Sequence, residues 1–154
     1  MGKKMAENNE YQFLSLAIKL AEDAHKEALD KGGSPYIGHP LRVMNSMDTI
    51  DEKIVGVLHD AIEDSPLTLL DLSLLGFSSI VIEALDAITK RDGEDYEVYL
   101  DRLKSNPIAL KVKIADMTDN MDMSRIANPT PKDYRRLKKY QAILPRLQVT
   151  LLKG

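Results

Sequence analysis

Apolar residues along this chain recur at helical spacing. Leu14, Ala17, Ile18, Ala21, Ala24 and Ala28 fall at three- and four-residue steps, which predicts an amphipathic helix from Tyr11 to about Leu29. Lys31-Gly32-Gly33-Ser34-Pro35 ends it in a loop, and Pro40 suits the first turn of a short second helix over about 39–48. Ile54, Val55, Val57, Leu58 and Ile62 give a third helix, about 51–63, an apolar body that stops at Ser65-Pro66. Thr68 with Asp71 three residues on reads as a capping box for a short fourth helix, with Gly76 just past its end. Ser78 can cap a fifth helix, about 79–89. A sixth covers about 95–104, and Asn106-Pro107 opens a seventh, about 107–124. The last helix spans about 132–152 and should bend or break at Pro145. No segment alternates with period two. The pattern predicts an all-α domain of about eight helices over residues 11–154, behind a polar, frayed segment at 1–10.

Composition narrows the function classes. The chain has 154 residues and no cysteine, so disulfides, thiolate metal sites and cysteine nucleophiles are excluded. A net charge of −3 gives no bulk attraction for DNA or RNA polymers. No stretch approaches the roughly 20 apolar residues of a membrane span, and Met1-Gly2-Lys3-Lys4 precedes no apolar run, so neither an anchor nor a signal peptide is expected. A cytoplasmic protein fits these features. In the last helix Leu137, Tyr140, Leu144, Leu147 and Leu151 form a narrow apolar seam, which serves either the domain's own core or a homodimer.

The chemistry concentrates in three short stretches. His59, Asp60, Glu63 and Asp64 occupy positions i, i+1, i+4 and i+5 of an apolar helix and share one face. Three carboxylates crowded there repel one another, and the C-terminal end of a helix disfavours anions. A divalent cation would relieve both effects, since imidazole nitrogen and carboxylate oxygen are natural ligands. An acidic helix end facing solvent is the competing reading. Asp116 and Asn120 share a face of the seventh helix, either as a polar stripe or as part of a site. His39, just before Pro40, is held at a helix entry.

Taken in order, Pro35-Tyr36-Ile37-Gly38-His39-Pro40, Leu58-His59-Asp60-Ala61-Ile62-Glu63-Asp64 and Lys113-Ile114-Ala115-Asp116 resemble the HD-domain metal phosphohydrolases. They are most similar to the RelA/SpoT-type domains that remove pyrophosphate from the 3′ position of (p)ppGpp. The resemblance runs from about Leu16 to Arg125. It implies an HD-type helical bundle and a metal, often manganese, on His39, His59, Asp60 and Asp116. It implies that Glu63 and Asp64 activate water and move protons, with Asn120 near the substrate. His25 stands where the family often carries histidine and is expected to pack behind the ligands. Lys31, Arg42 and Lys113, with Lys90, are candidate phosphate contacts.

Two positions depart from the family pattern. Asp23 and Asp30 stand where the (p)ppGpp hydrolases usually carry cations, so the metal site is kept while the nucleotide clamp is altered. A chain of this length is expected to lack the synthetase domain of the long family members. The resemblance therefore implies a metal-dependent phosphohydrolase for a small phosphorylated nucleotide, with (p)ppGpp the first candidate. The alternatives are an HD phosphohydrolase for another nucleotide or phosphorylated metabolite, or a metal-containing nucleotide-binding module without turnover.

Overall fold

The computed structural model describes the backbone of residues 2–153 and the side chains of residues 9–153. Among the described residues eight α-helices follow one another: α1 Gly2–His25, α2 Gly38–Asn45, α3 Ile50–Asp64, α4 Leu69–Leu74, α5 Ser79–Ile88, α6 Tyr96–Lys104, α7 Pro107–Asn120 and α8 Pro131–Lys153. A 3-10 turn, Met123–Arg125, joins the last two. Among the described residues there is no strand, only an isolated bridge between Leu29 and Pro35.

The centre of the bundle is α3, which packs against α1, α2, α5 and α7. Ile54, Val55, Gly56, Val57, Leu58, His59 and Ala61 are all buried, as a helix enclosed on every side requires. Gly56 brings α2 close: a Cβ there would meet Met44 Cα at 3.3 Å, so a larger residue would push the two helices apart. Leu58, Leu72, Leu85, Leu100, Leu103 and Leu147 are fully buried, each worth about 1.5–3 kcal/mol relative to an exposed side chain.

Local rules explain the ends. Thr68 and Asp71 form the expected capping box on α4, Gly76 takes a φ of +99° past its end, and Ser78 accepts from the Val81 N–H. Thr49 and Glu52 form a second capping box, on α3. Three boundaries differ from the sequence pattern. Helix α1 stops at His25 rather than near Leu29, because the Ala28 carbonyl accepts from the Tyr36 N–H and folds the chain back. Helix α7 stops at Asn120 rather than near 124, where Asp122 caps the 3-10 turn. Helix α8 runs unbroken through Pro145, held in line by buried Ile143 and Leu147 on either side. The backbone of α1 is helical from Gly2, and the expectation of a frayed segment at 1–10 falls largely outside the described side chains. Of the α8 seam, Leu147 is buried and Leu144 packs on the core, while Leu151 is exposed. No helix among the described residues is long and apolar enough to cross a membrane.

Candidate metal centre and active-site cleft

Three helices bring four candidate ligand side chains to one point. His39 is the second residue of α2, His59 and Asp60 lie near the end of α3, and Asp116 is in the third turn of α7. One ligand atom from each lies within 4.8 Å of every other. His39 Nε2 is 2.8 Å from Asp116 Oδ1 and 3.4 Å from Asp60 Oδ2, and His59 Nε2 is 3.3 Å from both Asp60 Oδ1 and Asp116 Oδ1. Both histidines and Asp116 are buried.

The opposite side of each ring decides what these nitrogens can do. His59 Nδ1 donates to the Gly56 carbonyl at 2.7 Å, and His39 Nδ1 donates to Asp119 Oδ2 at 2.6 Å. Both partners only accept, so both Nδ1 atoms carry the proton. Each Nε2 is then left to point a lone pair at carboxylate oxygens. That is repulsive unless a proton or a cation lies between them. Burial lowers the basicity of His59, but Asp60 and Asp116 outweigh it and push the imidazole up to about 9. Burial would raise the Asp116 carboxyl, yet Lys113 and the two histidines hold it well below the usual range. No basic residue lies in the last turn of α3 to offset its acids. Two Nε2 lone pairs, two carboxylates and imidazoles anchored through Nδ1 are the donor chemistry of a divalent cation site.

The cluster opens into a cleft of about 280 Å³ whose walls include Leu29, Lys31, Glu63, Asn120, Arg136 and Tyr140. Glu63 lines it, and burial followed by Asp60 and Asp64 raises its carboxyl above the usual range, against the opposing Lys113. Asp64 is not among the lining residues, and its charge bears on His25 as well as on Glu63. Lys31, Arg42, Lys113 and Asn120 all line the cleft. Each is already engaged. Lys31 pairs with Asp133, Arg42 Nε donates to Asp119 Oδ1 at 2.8 Å, Lys113 Nζ lies 3.1 Å from Asp116 Oδ2, and Asn120 Nδ2 donates to Asp116 Oδ1 at 3.2 Å. Lys90 is not among the lining residues. His25 is buried behind the site with its ring 4.9 Å from that of Tyr36, and its Nε2 has no hydrogen-bond partner.

Sequence reasoning missed five contributors. Tyr36 donates its hydroxyl to Asp60 Oδ2 at 2.8 Å, and burial with the neighbouring Asp60 raises its pKa. Asp119, Arg125, Arg136 and Tyr140 also line the cleft. Asp119 could have been found from its place three residues after Asp116. The other three are brought in by the 3-10 turn and α8, and nothing local signals them. One wall is set by a close approach: a Cβ on Gly32 would lie 2.2 Å from the Arg125 carbonyl oxygen.

Comparison with known proteins agrees with this architecture. The bifunctional (p)ppGpp synthase/hydrolase SpoT of Escherichia coli K12 is 26% identical over 160 residues, 91% of this chain and 22% of its own length. A protein described as a metazoan ortholog of SpoT that hydrolyzes ppGpp superimposes with a TM-score of 0.71, covering 90% of this chain and 85% of its own, at 19% identity. Over most of its length the chain is similar in sequence to RelA/SpoT-type proteins and in fold to a SpoT ortholog. A "Probable GTP pyrophosphokinase" of Mycobacterium leprae is 31% identical to this chain over 143 residues, 84% of the chain and 18% of that protein. The chain thus spans about a fifth of the length of these curated relatives. No family model matches it.

Proposed function

We propose that this domain is a metal-dependent phosphohydrolase acting on a small phosphorylated nucleotide, with the 3′-pyrophosphate of (p)ppGpp as first candidate. The observation that carries the reading is the convergence of two Nδ1-anchored histidines and two carboxylates at the foot of a cleft that also holds Glu63. The resemblance to SpoT supports the choice of substrate.

His39, His59, Asp60 and Asp116 would hold the cation, Mn²⁺ in this reading, which supplies charge to polarise a phosphoryl oxygen and acidify water. The chain's own groups do the rest. Glu63, whose carboxyl burial raises above its usual range, takes a proton from the attacking water as its oxygen bonds phosphorus. The bond from phosphorus to the 3′ oxygen breaks, and that oxygen gains a proton from solvent or from Glu63. Asp64, one residue on, raises the Glu63 carboxyl further and adds a second acid to the helix end. Lys113, held up by Asp116 and the nearby tyrosines together against the effect of burial, neutralises phosphate charge beside the ligands. Lys31, Arg42 and Asn120 orient the rest of the substrate from the cleft walls.

A second reading is favoured by the pairing of the cleft's cations. Lys31, Arg42, Lys113 and Arg125 each face a carboxylate, and Asp30 and Asp122 add negative charge to the walls. A phosphate ester with fewer charges than (p)ppGpp would meet less repulsion there. A cytoplasmic setting goes with either substrate. A homodimer through the α8 seam, of which Leu151 is exposed, belongs to the same proposal, and light scattering that gives a monomer removes it.

The deciding experiment is a Mn²⁺-supplemented screen of phosphorylated nucleotides with released phosphate and pyrophosphate measured separately. Metal-dependent pyrophosphate release from (p)ppGpp is expected. Release of phosphate from simpler esters alone would select the second reading. No turnover of any ester would overturn both.

A further inference from the structure

The side chain of Asp119 is the branch point between the candidate ligands and the cations at the mouth of the cleft. Its Oδ2 accepts from His39 Nδ1 at 2.6 Å and from Arg42 Nη2 at 3.2 Å. Its Oδ1 accepts from Arg42 Nε at 2.8 Å and from Arg125 Nη2 at 3.2 Å, and Arg125 Nη2 also reaches the Asp119 carbonyl at 3.0 Å. The carboxylate is largely shielded, at 16% exposed. Asp119 itself contributes no atom to the four-residue cluster.

We propose that Asp119 is a positioning residue: it fixes the Nδ1–H tautomer and the ring plane of His39, so that Nε2 is aimed at the cation, while Arg42 and Arg125 hold the carboxylate in place. The inference rests on the metal site of the preceding section. The two histidines make an internal comparison. His59 is anchored by a main-chain carbonyl of its own helix, Gly56, which no side-chain substitution removes. His39 sits at the start of α2, and the described partner of its Nδ1 is Asp119 on α7, so the orientation of this ligand depends on a side chain brought from another helix. An imidazole whose outer nitrogen is bound to a carboxylate is both oriented and more basic at the other nitrogen, and losing such a partner costs about ten- to a hundredfold in metal affinity.

The test measures Zn²⁺ affinity by chelator competition, with Zn²⁺ as a diamagnetic probe, together with the imidazole ¹⁵N spectrum of the metal-free protein recorded well above pH 9, where the neutral tautomers are seen. Asp119→Ala is expected to weaken Zn²⁺ binding about ten- to a hundredfold. It should also turn His39 into a mixture of tautomers while His59 keeps its Nδ1–H signature. A generally loosened fold would disturb both rings, so the split between them separates positioning from mere structure. Asp119→Asn carries the test if the alanine variant does not fold. Its amide oxygen can still accept from His39 but cannot satisfy two guanidinium groups, so an intermediate loss and a preserved His39 signature are expected. Wild-type affinity and an unchanged His39 spectrum in both variants would overturn the role of Asp119 and leave the metal site standing. A wild-type chain that binds no Zn²⁺ would overturn the metal site and this inference together.

Discussion

Replacing Gly32 by alanine tests whether the loop after α1 is a working wall of the cleft. The Cβ would lie 2.2 Å from the Arg125 carbonyl oxygen, where real Cβ contacts do not fall under 3.0 Å, so one backbone must yield by about 0.8 Å. The loop cannot absorb this by a local twist. Asp30 Oδ1 accepts from the N–H groups of both Gly32 and Ser34, at 2.9 Å each, and Lys31 is tied to Asp133 at the start of α8. The shift therefore passes to the cleft, which Asp30, Lys31, Gly32 and Arg125 all line. A misplacement approaching 1 Å can cost about a hundredfold in rate, so kcat/KM should fall between about ten- and a hundredfold. Overpacking of this kind also costs about 1–3 kcal/mol of stability. Metal affinity should not change, because none of the four candidate ligands is on the loop. Hydrolysis under saturating Mn²⁺, chelator competition and thermal unfolding read the three quantities. A variant with wild-type kcat/KM would refute the claim that the loop shapes the cleft, and one that loses metal instead would show that the strain travels elsewhere.

Other outcomes are equally specific. Glu63→Gln should keep the metal and lose about 10²–10⁴-fold in kcat, whereas His59→Ala should lose both activity and metal, as metal content and single-turnover rates will show. The Asp133 carboxyl is held down to about 2 by Lys31 and the Thr130 main-chain and side-chain donors. A depressed carboxylate contributes stability that is fully present above its unfolded value near 4 and is lost as pH falls toward 2. Asp133→Asn should therefore flatten acid unfolding in that window, and an unchanged acid limb would contradict the role given to the Lys31 pair. Pro145 is exposed inside an unbroken helix, so Pro145→Ala should restore a main-chain hydrogen bond and stabilise the domain by about 1–3 kcal/mol. A lower melting temperature for that variant would mean that the helix is shaped around the ring.

What could be read from the chain was what local chemistry decides. Thr68, Asp71, Gly76 and Ser78 act within a turn of themselves, and their caps follow from sequence alone. The three motif words placed His39, His59, Asp60 and Asp116 in order, and the bundle brings those four to one point. The misread ends have tertiary causes. The Tyr36 N–H captures the Ala28 carbonyl and stops α1 early, and buried Ile143 and Leu147 carry α8 through Pro145. Arg125, Arg136 and Tyr140 matter through the placement of the 3-10 turn and α8, which no periodicity reports. The sequence also marks Glu63 and Asp64 as a matched pair, whereas only Glu63 lines the cleft.

The three-helix origin of the cluster has a consequence for how the domain holds together. His39, His59 with Asp60, and Asp116 are far apart along the chain, and each enters on a separate helix, α2, α3 or α7. A cation seated among them acts as a removable clasp on the middle of the bundle. The extended chain has no equivalent site, so occupancy favours the folded state by mass action, about 2.7 kcal/mol at a hundred times the dissociation constant. Chelation should then expose the α2 and α7 seams to proteases before the α4–α5 seam, which carries none of the four candidate ligands.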